Sequence, residues 1–187
     1  MFLSEFSDKL EWLANNGIYA HSNTQFRSYF PGEGATNLKK TIERALIKGV
    51  LLRPCRGVYL TAKRLKDNVY KLESIALVLR RGEYSYVSLE TALSQYSIIS
   101  QMTVNYLSVM TTGRSQIYRT PFGTIEFTHT ARNEIDILEN TYKQGERPMR
   151  VAKPDLALSD LKRVGRNLNL VDMDTYEEVV YESHFVN

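Results

Sequence analysis

The sequence predicts an α+β fold in two parts, and three observations predict it. Before residue 50, apolar residues recur at intervals of three and four, the period of helices. From Thr103 the period changes to two, the alternation of strands. Between these regions lies a break in charge. The 187 residues carry a net charge of only +3. Residues 1–35 set Lys9 and Arg27 against Glu5, Asp8, Glu11 and Glu33, a net −2. Residues 36–66 hold Lys39, Lys40, Arg44, Lys48, Arg53, Arg56, Lys63, Arg64 and Lys66 against Glu43 alone, a net +8. Residues 67–187 are net −3, with 13 basic and 16 acidic side chains. A near-neutral chain therefore carries one strongly basic module, the footprint expected of phosphate binding, although a basic run can also be plain solvated surface.

The elements follow in order. Ser4 is a candidate N-cap, and Phe6, Leu10 and Leu13 form one helical face behind it. Trp12 lies off that stripe and is expected to pack toward the next element. Asn15-Asn16-Gly17 ends the helix, and Ile18-Tyr19-Ala20-His21 reads as a short strand. Ser22 or Asn23 caps a second helix through Phe26 and Tyr29, which Pro31-Gly32-Glu33-Gly34 breaks. A third helix runs from Thr36 to Lys48, stopped by Gly49. Its apolar stripe is Leu38, Ile42, Ala45 and Leu46. At 100° per residue the opposite face holds Thr36, Asn37, Lys40, Arg44 and Lys48, with Lys39 and Thr41 on the flanks. Ile47 also falls on that outer face.

Val50-Leu51-Leu52-Arg53 and Gly57-Val58-Tyr59-Leu60-Thr61 are strand-like, joined by the turn Pro54-Cys55-Arg56-Gly57. Helix, short strand, helix, helix and hairpin is the order of a winged helix-turn-helix, so residues 1–64 are expected to form such a domain. The third helix would enter the major groove of DNA. Asn37, Lys40 and Arg44 would read bases. Lys39, Lys48, Arg53 and Arg56 would hold phosphates, with Thr36 and Thr41 beside them and Lys63, Arg64 and Lys66 extending the track.

Residues 62–68 read as a polar connector, and 67–187 as a separate α+β domain. Val69, Leu72, Ile75, Ala76 and Leu79 give one helical stripe, and Leu89, Ala92, Leu93 and Tyr96 another behind the N-cap Ser88. Val104, Tyr106, Ser108 and Met110 alternate. With residues 115–119 and 123–128 around Thr120-Pro121-Phe122-Gly123, they predict a meander of about three strands, the small antiparallel sheet of this domain. Residues 134–142 fit helix and strand equally. Residues 149–152 read as a strand entering a helix that Lys153-Pro154-Asp155 opens. A short acidic helix spans 175–181.

Little points to catalysis, and no enzyme activity, cofactor or metal is expected. His21, His129 and His184 are far apart with no metal spacing, and the phosphate- and nucleotide-binding glycine motifs are absent. The lone Cys55 stands beside Arg53 and Arg56, which would lower its pKa, yet a plain turn cysteine is the expectation. Asp155 followed by Asp160-Leu161-Lys162 resembles the two acids and lysine of metal-dependent nucleases. In those enzymes the acids normally lie on separate strands, whereas here both fall within one helix. No run of 18 apolar residues occurs, and the start Met1-Phe2-Leu3-Ser4-Glu5 lacks the features of a secretion signal. With a single cysteine, the expected compartment is the cytoplasm.

Four stretches carry a family resemblance. They are Ile47-Lys48-Gly49-Val50-Leu51-Leu52-Arg53; Arg56-Gly57-Val58-Tyr59-Leu60; Tyr86-Val87-Ser88-Leu89-Glu90-Thr91-Ala92-Leu93; and, last, Thr111-Thr112-Gly113-Arg114 and Thr120-Pro121-Phe122-Gly123 together with Ala152-Lys153-Pro154-Asp155-Leu156-Ala157-Leu158-Ser159-Asp160. In this order the chain resembles the AbiEi-type antitoxins of type IV toxin–antitoxin systems. The resemblance implies an N-terminal winged helix that represses its own operon at inverted repeats. It also implies a C-terminal domain that counteracts a nucleotidyltransferase-like toxin. The alternative on the same residues is a non-DNA interaction module whose basic face binds an acidic protein or a tRNA.

Overall fold

The computed structural model describes residues 1–63, 65–66, 68–100 and 105–185, with the side chains of the last helix described as far as Glu182. The chain is α+β, with a three-stranded antiparallel sheet and a separate six-stranded mixed sheet. It divides into two compact units, residues 1–79 with 120–122, and residues 80–119 with 123–187.

In the first unit α1 (Leu3–Asn15) buries Phe6, Leu10 and Leu13. Ser4 does not cap it; the Glu5 carboxylate accepts the Phe2 N–H at 3.1 Å instead. Trp12 stays more than half exposed, with the Lys9 ammonium 4.4 Å from its ring centroid, so it does not pack into the next element. A reciprocal capping box starts α2 (Asn23–Tyr29). The Gln25 N–H donates to Ser22 Oγ at 3.2 Å, and the Ser22 N–H donates to Gln25 Oε1 at 2.9 Å. The next helix, α3 (Ala35–Ile47), buries Leu38, Ile42 and Ala45 as the spacing predicts. Gly49, at φ +68°, then turns the chain into the sheet.

That sheet comprises β1 (Ala20–Ser22), β2 (Leu51–Cys55) and β3 (Val58–Thr61), with β3 in the centre. Pro54 lacks an N–H and is tolerated because β2 is an edge strand whose register slips between Leu52 and Cys55. Phe6, Leu10, Leu13, Phe26, Leu38, Ile42, Ala45, Leu51 and Tyr59 form one core, in which the Phe6 ring lies 5.5 Å from Phe26 and 5.2 Å from Phe30. The helix α4 (Lys71–Leu79) packs on β1 and β3. The first unit therefore runs to Leu79 rather than closing in the connector after residue 64.

The second unit is built on a sheet of order β6-β7-β5-β4-β9-β8. Its strands are β4 (Ser85–Val87), β5 (Tyr106–Thr111), β6 (Gln116–Thr120), β7 (Gly123–His129), β8 (Thr141–Tyr142) and β9 (Arg150–Ala152). This corrects the expectation of a small antiparallel meander. Strand β5 pairs with β7 in parallel, and β4 with β9 in parallel. Thr103 and Val104, where the alternation was expected to begin, lie outside the described residues. The helices α5 (Leu89–Gln95) and α7 (Pro154–Val164) pack together, α5 against β5 and α7 against β9. Residues 134–142 resolve into α6 (Glu134–Glu139) and β8. The acidic tail helix, α8, is longer than expected, Met173–Phe185. No helix among the described residues is long and apolar enough to cross a membrane.

Candidate nucleic-acid interface

The amphipathic order of α3 decides what it shows to solvent. With Leu38, Ile42 and Ala45 directed into the core, Thr36, Asn37, Lys39, Lys40, Arg44 and Lys48 are all exposed. Arg53 on β2 and Arg56 in the following turn are exposed as well. Lys39, Lys40, Lys48 and Arg56 form no ion pair among the described residues. The Arg53 guanidinium lies over the Tyr59 ring at 5.8 Å. Lys63 is exposed but is drawn to α1, its Nζ 2.6 Å from Glu11 Oε1. Lys66 is exposed, and Arg64 lies outside the described residues.

Thr41 leaves the exposed set. It is fully buried, and its hydroxyl donates to the Asn37 carbonyl at 3.0 Å. A helix threonine that satisfies its hydroxyl on the preceding turn can sit among apolar neighbours without an unpaired polar atom. It cannot itself reach DNA from there.

Two grooves flank α3. The first, about 560 Å³, is lined by Asn37, Lys40, Thr41, Glu43, Arg44 and Ile47, with Met1. The second, about 600 Å³, brings Thr36 and Lys39 of α3 together with Asn23 and Arg27 of α2, Arg53 of β2 and Tyr59 of β3. Asn23 and Arg27 were missed in the sequence, where Arg27 was counted within an acidic segment. The signal was present: they stand four apart on the exposed side of a short helix whose buried residue is Phe26. Glu43 lines both grooves, is exposed, and forms no ion pair among the described residues. A helix of 13 residues is about 20 Å long, and its width matches a major groove of about 12 Å.

The two elements expected to hold nucleic acid thus present cations to one groove, with the α2 side chains added. Cys55, half-buried at the end of β2, is the wrong group for chemistry there. Burial pushes its thiol pKa up, and Arg53 only partly offsets that shift. His21 is buried on β1 of this sheet, with Nε2 3.0 Å from Thr61 Oγ1 and its ring 5.4 Å from Phe26.

In the second unit two clusters of charged side chains are closed on one another. The Asp160 carboxylate is fully buried and accepts hydrogen bonds from Tyr86 Oη and Ser88 Oγ, each at 2.9 Å, with Arg132 Nε at 3.4 Å. Arg166 bridges two carboxylates, at 2.8 Å to Glu90 and 2.6 Å to Glu126. Tyr106 Oη donates to Glu126 at 2.6 Å. Burial alone would raise the Glu90 pKa, but hydrogen bonds from Arg166 and Asn167 hold it below the carboxylate range. Arg166 does the same for Glu126. Asp155, at the exposed start of α7, is bonded by Tyr176, so the two aspartates of the nuclease-like pattern have different partners. Among the described residues no three His, Cys, Asp or Glu side chains converge on a metal-sized site.

What these features define is an α+β protein with exposed, unpaired cations around α3 and β2 of one compact unit and two half-buried ion-pair clusters in the other. No protein-family model and no curated protein matches the chain.

Proposed function

We propose that the first unit is a winged helix-turn-helix and that the chain is a DNA-binding regulator. On this reading α3 lies in the major groove, with Asn37, Lys40 and Arg44 toward base edges. Lys39, Lys48, Arg53 and Arg56 grip phosphates, joined by Asn23 and Arg27. One observation carries the reading: the exposed cations Arg27 of α2, Lys39 of α3 and Arg53 of β2, with the Asn23 amide, line a single groove, and Asn37, Lys40 and Arg44 line the other side of α3. Cations left unpaired by the protein are the ones that can displace counterions from a polyanion.

The resemblance to AbiEi-type antitoxins extends the proposal. The protein represses its own operon at inverted repeats, and its second unit counteracts a nucleotidyltransferase-type toxin. Two-fold recognition then requires two copies on the DNA. The alternative, a basic module for an acidic protein or a tRNA, separates in one competition experiment. Purified protein is mixed with labelled duplex from upstream of its own gene, then challenged with unrelated duplex and with tRNA at about 150 mM salt. The proposal expects the upstream duplex to resist both competitors. Equal competition by unrelated duplex, or preferential displacement by tRNA, would sink it.

A further inference from the structure

One exposed side chain on α3 has its direction set by the protein. Arg44 folds back along its own helix. Its Nη2 donates to Thr41 Oγ1 at 2.9 Å, and its Nε lies 3.4 Å from the Lys40 carbonyl. Thr41 is fully buried, and its own proton is committed to the Asn37 carbonyl at 3.0 Å. A hydroxyl has one proton and two lone pairs, so toward Arg44 this oxygen acts only as an acceptor. Burial and β-branching limit the threonine to few rotamers, so the acceptor is stationary. Of the five guanidinium donors two are engaged and three remain. Those three belong to a side chain lining the groove with Asn37, Lys40 and Glu43.

We infer that Thr41 is a positioning residue that pre-orders Arg44 to read a guanine; the inference rests on the DNA-binding reading above. Guanine offers two acceptors, N7 and O6, in the major groove, and two parallel donors of a guanidinium match them. Adenine sets an amino donor where guanine has O6, so the same fork meets a donor and is rejected. An unrestrained arginine loses rotamer freedom when it binds a base and can also drift to a neighbouring phosphate. Held by Thr41, Arg44 has lost part of that freedom already, so more of the contact energy appears as discrimination. Lys39 and Lys48, with flexible stems and point charges, follow phosphates on any sequence. Thr41 contributes to recognition without touching DNA.

The test uses the full chain and a pool of randomised duplexes, with base preference read at each selected position. Wild type is expected to select a guanine at a position where Arg44→Lys, which lacks the planar fork, shows a much weaker preference, while the variant's affinity for unrelated duplex stays within about twofold. Thr41→Val keeps the shape but removes the acceptor. It should weaken that guanine preference about three- to tenfold and leave the other positions intact. Thr41→Ser, which restores the hydroxyl, should recover it, an outcome that a purely structural role would not produce. Thr41→Ala serves the same purpose as the valine variant should valine disturb folding. Retention of the full guanine preference by the valine or alanine variant, in a protein whose Arg44→Lys form shows a much weaker one, would overturn the role of Thr41 alone. Retention by Arg44→Lys would overturn the role of Arg44. A wild-type pool with no sequence preference would overturn the DNA-binding reading and this inference together.

Discussion

In the first unit Lys39, Lys40, Lys48 and Arg56 stand in solvent without an ion pair among the described residues, whereas in the second Arg166 is closed between Glu90 and Glu126. Arg132 likewise lies against the buried Asp160. Composition does not separate these cases, since both units are rich in arginine. Pairing does. A guanidinium already bonded to two carboxylates has no charge left to exchange for condensed counterions, while an unpaired one on a groove wall can release them. The paired Arg132 and Arg166 of the second unit therefore bear on stability, while the unpaired cations of the first are the ones proposed to bind.

The largest test of that contrast is Arg166→Ala. It leaves Glu90 and Glu126 facing each other in a half-buried site. Thermal or urea unfolding should show a loss of about 2–3 kcal/mol, the low end for a broken buried pair because Arg166 is one-third exposed. DNA affinity measured on the folded fraction should not change. Unaltered stability would break the comparison from the second unit's side.

Acid separates the units next. Burial lowers the His21 pKa from 6.5 to about 4. Between those values the unfolded chain binds more protons than the folded one, so stability rises with pH across that window. Acidification from pH 7 to 4 should remove up to about 3 kcal/mol from the first unit, and His21→Phe should flatten the dependence. The second unit's Glu90 and Glu126, held below the ordinary 4.5, lose their contribution only as pH falls below that value. Hydrogen exchange against pH would resolve the two regions. Equal loss in both at pH 5 would contradict the assignment.

Two substitutions on the basic face should give smaller effects of opposite sign. Arg53→Ala should weaken binding to every duplex and reduce the salt slope by about 0.9, with the melting temperature unchanged within about 2 °C. Glu43→Ala removes the one carboxylate that lines both grooves. It should raise affinity for unrelated duplex about two- to threefold, the size of one screened surface charge interaction. A fall in non-specific affinity would mean that Glu43 does not face the polyanion.

Much of the first unit was legible in the sequence because its elements carry one strong period each. Leu38, Ile42 and Ala45 place α3, and the charges between them define its outer face by elimination. Thr41 was not legible. It lies on the flank of the helical wheel, and only the acceptor carbonyl of Asn37 lets its hydroxyl enter the core. Arg27 escaped because segment charges average over faces, and Asn23 because it was read only as a candidate helix cap. The second sheet was misread for a different reason. Period-two alternation marks strands but does not say which strands pair, and a tight turn at Thr120–Gly123 suggested nearest-neighbour pairing throughout. The chain instead sets β5 beside β7 in parallel. Strand β4 has three residues, too short for alternation to register, whereas β9 falls within the strand read at residues 149–152.

The central claim is that the unpaired cations of α3 and β2 bind DNA. Its most direct test is fluorescence anisotropy of the full chain on its own upstream duplex and on an unrelated one, across a range of salt, for wild type and Arg53→Ala. The account predicts that the upstream duplex binds on the order of a thousandfold tighter, and that Arg53→Ala lowers the logarithmic salt slope by about 0.9 on both duplexes. Equal affinity for the two duplexes, or an unchanged slope, would contradict it.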